Sequence, residues 1–228
     1  MKSSKHLIPY NLKRSHRKTV SIYVERDGEV MVMAPKDLPD IAIDELVDSR
    51  ASSIFKHQAE LEELNQVRKV REAVNGESYL YLGRNYRLEL VEKQEVPLKL
   101  KDGYFRLLKK KAANAEKVFK LFYKEKGTNR INARVHFYKK LLGVTTGKIR
   151  IIELQNRWAS CNPKGDLNFH WKCMMAPLKV LDYIVVHELA HLLHPNHSEA
   201  FWNEVDKVLP DYRERKEWLR VNGAEMDL

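Results

Sequence analysis

The sequence predicts an α+β protein from three observations. Short segments that alternate apolar and polar residues, separated by Gly, Asn and Asp turns, crowd the first 110 residues. Apolar residues at helical spacing dominate the remainder, and His187-Glu188-Leu189-Ala190-His191 lies inside one of those helical stretches. The expected organisation is a β-rich part over residues 1–110 carrying one long helix, then a helical part over 111–228 with a short β-hairpin beside the histidine helix, with one continuous domain as the alternative.

Thr19 to Glu25 and Glu29 to Ala34 read as a hairpin around Arg26-Asp27-Gly28. From Pro39 to Val67, Ile43, Leu46, Val47, Ile54, Phe55, Leu61 and Leu64 recur at helical spacing, giving one long helix or two in tandem. Four short strands follow: Ser78 to Leu82, Tyr86 to Val91, Pro97 to Leu100 and Tyr104 to Leu108, with turns at Gly83-Arg84-Asn85 and Asp102-Gly103. Ala112 to Leu142 is a helix with a broken apolar stripe, which Gly127-Thr128 is expected to interrupt and Gly143 to close. Lys148 to Leu154 begins a strand. Gln155 to Cys161 and Leu167 to Lys172 pair about the turn Asn162-Pro163-Lys164-Gly165-Asp166. Pro177 opens the histidine helix, Phe201, Trp202, Val205 and Val208 mark another helix, and Arg213 to Val221 forms a last short one.

With 43% hydrophobic and 32% charged residues, 228 residues suffice to bury a core. No apolar run approaches the roughly 20 residues of a membrane span, and the N-terminal stretch lacks a signal-peptide core, so a cytoplasmic location without membrane contact is expected. Cys161 and Cys173 are too few for a disulfide framework and read as reduced, partly buried thiols. The net charge of +10 is uneven: residues 1–20 carry six Lys or Arg and no acid, and residues 97–150 carry sixteen against three acids. That asymmetry suggests an anionic partner, nucleic acid or nucleotide, through residues 97–150, or else a solvated helix face.

On a helix, His187 and His191 stand one turn apart on one face, the spacing of two ligands to one metal ion. Glu188 is offset by about 100° from His187, placed to act as a base rather than as a third ligand. Pro195 ends the helix near Leu193 or His194. Asn196 with Glu199 then reads as a capping box that opens a second helix with His197 in its first turn, where it can turn back to the metal. His194 is the competing third ligand.

Arg157-Trp158-Ala159-Ser160-Cys161, Leu181 through His191, His197-Ser198, Phe201-Trp202 and, near the start, Arg14 to Val20 together resemble the YgjP-like metal-dependent hydrolases, a metallopeptidase family related to the SprT-like and WLM zinc metalloproteases. The resemblance implies a zincin-like fold for the C-terminal part, zinc (Zn2+) held by His187, His191 and His197, and Glu188 as the catalytic acid/base. His194 occupies the position where metzincins carry glycine, which sets the chain apart from that class.

The expected activity is that of a zinc-dependent hydrolase, a metallopeptidase in which Glu188 activates a zinc-bound water against a peptide or protein substrate. The competing readings are hydrolysis of a nucleotide or other phosphate substrate, and a nucleic-acid-associated protease docked through its basic surface. Arg157, Ser160, Asn168, His170 and Tyr212 are candidates for oxyanion donors, and the free edge of the strand before Cys161 could hold an extended peptide.

Overall fold

The computed structural model describes residues 8–25, 28–65, 71–154 and 157–228. Lys2, Lys5, the Arg26-Asp27 turn, Val67, the Leu64 side chain and the Gln155-Asn156 start of the expected hairpin lie outside the described residues. The chain divides into two compact units, Met1–Arg68 and Lys69–Leu228. The four strands between residues 78 and 108 therefore belong to the same unit as the histidine helix.

In the first unit, β1 (Tyr10–Ser15), β2 (Ser21–Val24) and β3 (Val30–Pro35) form a sheet of order β1-β3-β2. β2 and β3 pair antiparallel as the expected hairpin, with Ile22 opposite Val32. β1 has no counterpart in the sequence reading: only Tyr10 of its six residues is buried, so its alternation is too weak to register. What fixes β1 is largely polar. The Arg14 guanidinium donates to the carbonyls of Pro35, Lys36 and Leu38 at 2.9, 3.1 and 2.7 Å and pairs with Asp40. The long helical stretch is two helices in tandem, α1 (Asp40–Ser49) and α2 (Ala51–Asn65), broken at Arg50, whose φ of −105° and ψ of 6° leave helical geometry. Ile43, Val47 and Ile54 pack with Ile8, Val30, Val32 and Ala34, whereas Phe55, expected in the same stripe, is 46% exposed.

The second unit opens with β4 (Ser78–Tyr81), β5 (Arg84–Val91), β6 (Leu98–Lys101) and β7 (Tyr104–Leu108) in the order β4-β5-β7-β6, the central pair parallel. The first hairpin turns at Leu82-Gly83, one residue before the predicted turn, with φ of 48° and 77°; Asp102-Gly103 repeats that geometry at 53° and 81°. Two residues of positive φ make the tight loops that match strand twist. α3 (Ala115–Leu141) crosses this sheet behind a 3-10 turn over Lys109–Asn114. Gly127 does not interrupt it. An added Cβ there would lie 3.2 Å from Met174 Cγ and 3.3 Å from Ile151 Cγ2, so the glycine admits its neighbours rather than breaking the helix. Tyr79 stacks on Phe119 with centroids 4.0 Å apart, and Tyr123, stacked on Trp171, donates its hydroxyl to the Leu80 carbonyl at 2.6 Å.

β8 (Ile149–Ile152), β9 (Ala159–Cys161) and β10 (Leu167–His170) form a third sheet of order β8-β10-β9, in which β9 and β10 are the expected hairpin and β8 runs parallel to β10. α4 (Leu178–Ala190) follows a 3-10 turn over Trp171–Met175; then come α5 (Glu199–Val208) and α6 (Tyr212–Asn222). α4 is buried on nearly every side, as an apolar central helix should be. Its Asp182 accepts both arms of the Arg134 guanidinium from α3, at 2.5 and 2.8 Å. Other cations of the basic middle segment are also paired internally: Arg106 with Glu89 and Asp102, Lys109 with Glu92, Lys120 with Glu116 and Glu153, Arg150 with Asp166. Cys173 is buried and Cys161 half-buried, and both are free thiols. Among the described residues no helix is long and apolar enough to cross a membrane.

The start of α4 is anchored by the Leu82-Gly83 loop. Both loop amides donate at 2.9 Å, Leu82 to the Met174 carbonyl and Gly83 to that of Met175. A Cβ on Gly83 would stand 2.7 Å from Pro177 Cγ and 2.8 Å from Pro177 Cα, against the residue that caps α4. Gly83→Ala is therefore expected to cost about 3 kcal/mol, combining a left-handed alanine with a clash against backbone. Gly103→Ala shares the positive φ and meets nothing within 4 Å, so it should cost about 1 kcal/mol. Urea midpoints of the two variants check this, and equal shifts would contradict the docking.

Candidate metal centre

α4 carries His187 and Glu188 in its last turn and ends with His191 as its C-cap. Hydrogen-bonded turns continue to His194, whose N–H donates to the Ala190 carbonyl at 2.9 Å, before Pro195 stops them. The next helix is capped by Ser198, whose Oγ accepts from the Phe201 N–H at 3.4 Å. The predicted cap at Asn196 is thus displaced by two residues, because a serine immediately before the first helical residue serves N3 directly. His197 lies just outside the helix instead of in its first turn, and it still faces the pair on α4.

The ligand atoms of His187, His191 and His197 all lie within 4.8 Å of one another, and His187 Nε2 is 3.0 Å from His197 Nε2. Nitrogens bound to zinc at about 2.0–2.1 Å in a tetrahedron stand about 3.3 Å apart, within this range. His194 does not join the cluster; only its backbone carbonyl takes part, lying 3.3 Å from His191 Nδ1. A carbonyl can only accept, so Nδ1 carries the proton and the Nε2 lone pair of His191 is available.

Burial pushes the His187 imidazole down to about 3, helped by His191, His197 and Lys216, and burial also lowers His191 and His197. All three rings are neutral at pH 7, the form that ligates metal. His187 Nδ1 is buried and has no hydrogen-bond partner among the described residues. An imidazole with one nitrogen unpaired and the other turned on a second imidazole is costly, and a cation at the Nε2 cluster offsets that cost. The residues present fit a metal.

Phe201, fully buried, is the shared floor: its ring centroid lies 5.0, 4.7 and 4.9 Å from those of His187, His191 and His197. His197 stacks on Trp202 at 5.7 Å, Trp202 stacks on Tyr212 at 5.2 Å, and Lys216 Nζ stands 4.7 Å from the Trp202 centroid. The sequence marks Phe201 and Trp202 as helix-packing residues and as part of the family resemblance, and nothing in it marks Lys216.

Glu188 is 7% exposed, and burial raises its carboxyl to about 7 while the charge of Arg157 pulls the other way. Of the candidate oxyanion donors, His170 is committed elsewhere: it is buried, pushed down to about 4, and its Nδ1 accepts from the Lys172 N–H. Asn168 donates to Ser160 across the β9–β10 pair at 3.3 Å, and Tyr212 lies behind Trp202. The charge of Arg157 acts on Glu188.

The family described as YgjP-like, metallopeptidase domain, matches residues 18–222. Among solved structures, the chain is similar to the crystal structure of the metallopeptidase zymogen of Pyrococcus abyssi abylysin, at 27% sequence identity, covering 43% of this chain and 99% of that one, with a TM-score of 0.39. No curated protein matches the chain.

Proposed function

The chain belongs to the YgjP-like metallopeptidase family, and from that premise we propose that it is a zinc-dependent endopeptidase in which His187, His191 and His197 hold the metal and Glu188 moves the proton. The observation that carries this reading is the meeting of His187 and His191 of α4 with His197 from the following turn, beside the buried Glu188 carboxyl.

Zinc, when bound, supplies Lewis acidity toward the scissile carbonyl and toward water. The protein does the rest. The His194 carbonyl fixes the His191 tautomer, and Phe201 and Trp202 hold the His197 ring, which has no helix of its own to orient it. Glu188 takes a proton from the attacking water and delivers it to the leaving amine, and its burial, which raises the carboxyl, favours holding that proton between the two steps. β9 has a strand neighbour on one side only, and its other edge suits an extended peptide added by backbone hydrogen bonds.

The test is incubation of the zinc-loaded chain with an unfolded protein, with products read by mass spectrometry. Internal cuts that vanish with a zinc chelator and return with zinc are expected. Nucleoside triphosphate hydrolysis that requires Glu188, with no peptide cut, would replace the peptide substrate with a phosphate one.

A further inference from the structure

Lys216, on α6, makes no ion pair among the described residues, although its charge acts on the neighbouring Glu217. Arg215 is bound to Asp211 at 2.8 Å and Arg220 to Glu217 at 2.7 Å, whereas the residues three and four positions from Lys216 are Tyr212, Arg213, Leu219 and Arg220. Its neighbour Glu217 is engaged through both oxygens by Arg220. Lys216 makes no ion pair with any described residue.

Its Nζ instead stands over Trp202, whose ring lies 5.7 Å from that of His197 and 6.0 Å from that of His187. The contact with the indole face uses none of the three ammonium N–H donors. One indole ring thus separates a permanent cation from the imidazole cluster. A positive charge beside a site for a dication is unfavourable by simple Coulomb repulsion, and an anion between or beside the two would relieve it.

We propose that Lys216 is a specificity-determining residue that receives a carboxylate of the peptide substrate one or two residues from the scissile bond. An extended peptide advances about 3.3 Å per residue, so a group one or two residues from the scissile bond can extend past Trp202 toward the exposed Lys216. The carboxylate can come from an acidic side chain or from the peptide's C-terminus; the chemistry Lys216 reads is the same. This inference rests on the peptidase reading above for its substrate class.

The experiment measures binding to zinc-loaded Glu188→Gln chain, which retains peptides without cutting them. Two pairs of N-acetylated hexapeptides serve as probes: Asp against Asn at successive positions with an amidated C-terminus, and all-neutral peptides ending in a free carboxylate against the amide. One pair is expected to show about tenfold tighter binding of the charged member, identifying the source of the carboxylate. The preference should weaken as salt rises, survive in Lys216→Arg, disappear in Lys216→Met and reverse toward the uncharged member of the pair in Lys216→Glu. Equal binding within both pairs, a preference that persists in Lys216→Met, or no binding of any peptide overturns the proposal. Cleavage by the wild-type chain without regard to charge would overturn it and leave the peptidase reading intact. Lys216-dependent binding with no cleavage by the wild-type chain would do the reverse.

Discussion

Glu188→Gln is expected to keep the full metal complement of the wild-type chain while turnover falls by about 10²- to 10⁴-fold, the range lost when a positioned general base is removed. The amide is nearly isosteric with the carboxyl, so the packing of α4 is preserved. Its burial carries no penalty either. Glu188 is 7% exposed and burial already opposes its ionisation, so a neutral group suits the position at least as well as the acid. Metal binding should be spared because the converging nitrogens come from His187, His191 and His197 and none from Glu188. Metal content by elemental analysis and turnover on one verified peptide, measured on the same preparation, check the two halves together. A variant that turns over normally, or one that loses its metal, would show that Glu188 has another role.

What the sequence made legible follows from where its signals were strong. The pair β2–β3 carries clean alternation about a glycine turn, and it forms. His187 and His191 lie four apart on α4, and that spacing brings their rings side by side, with centroids 4.9 Å apart. Pro195 turns the chain back, and His197 lies with the α4 pair, although the helix cap is Ser198 and not Asn196.

The readings that went astray depended on contacts distant in sequence. β1 is defined by its pairing with β3 and by Arg14 reaching three carbonyls more than twenty residues away, and no local pattern encodes that. Gly127 reads locally as a helix breaker, yet it lies inside α3 where the close approach of Met174 and Ile151 leaves little room for a Cβ. The hairpin loop lies one residue earlier because Leu82, an unusual residue for positive φ, is held there by the hydrogen bond its N–H donates to the Met174 carbonyl. The His197–Trp202–Tyr212 stack with Lys216 joins α5 to α6, and it emerges only when both helices are in place.

The second large effect concerns the third ligand. His187→Ala and His191→Ala each remove half of the pair on α4 and should abolish metal retention. His197→Ala should do nearly as much, since two imidazoles rarely hold zinc against dilution. His194→Ala should retain metal, because the cluster uses the backbone carbonyl of that residue and alanine keeps it. The four substitutions change no large apolar group, so the chains should remain folded, which circular dichroism can verify. The most direct measurement is metal per chain after purification without added metal, compared between wild type, His197→Ala and His194→Ala. The account requires near-stoichiometric zinc in wild type and His194→Ala and its loss in His197→Ala. A wild-type chain that retains no metal and takes up none on titration, or one whose metal is lost with His194 and kept without His197, would contradict it.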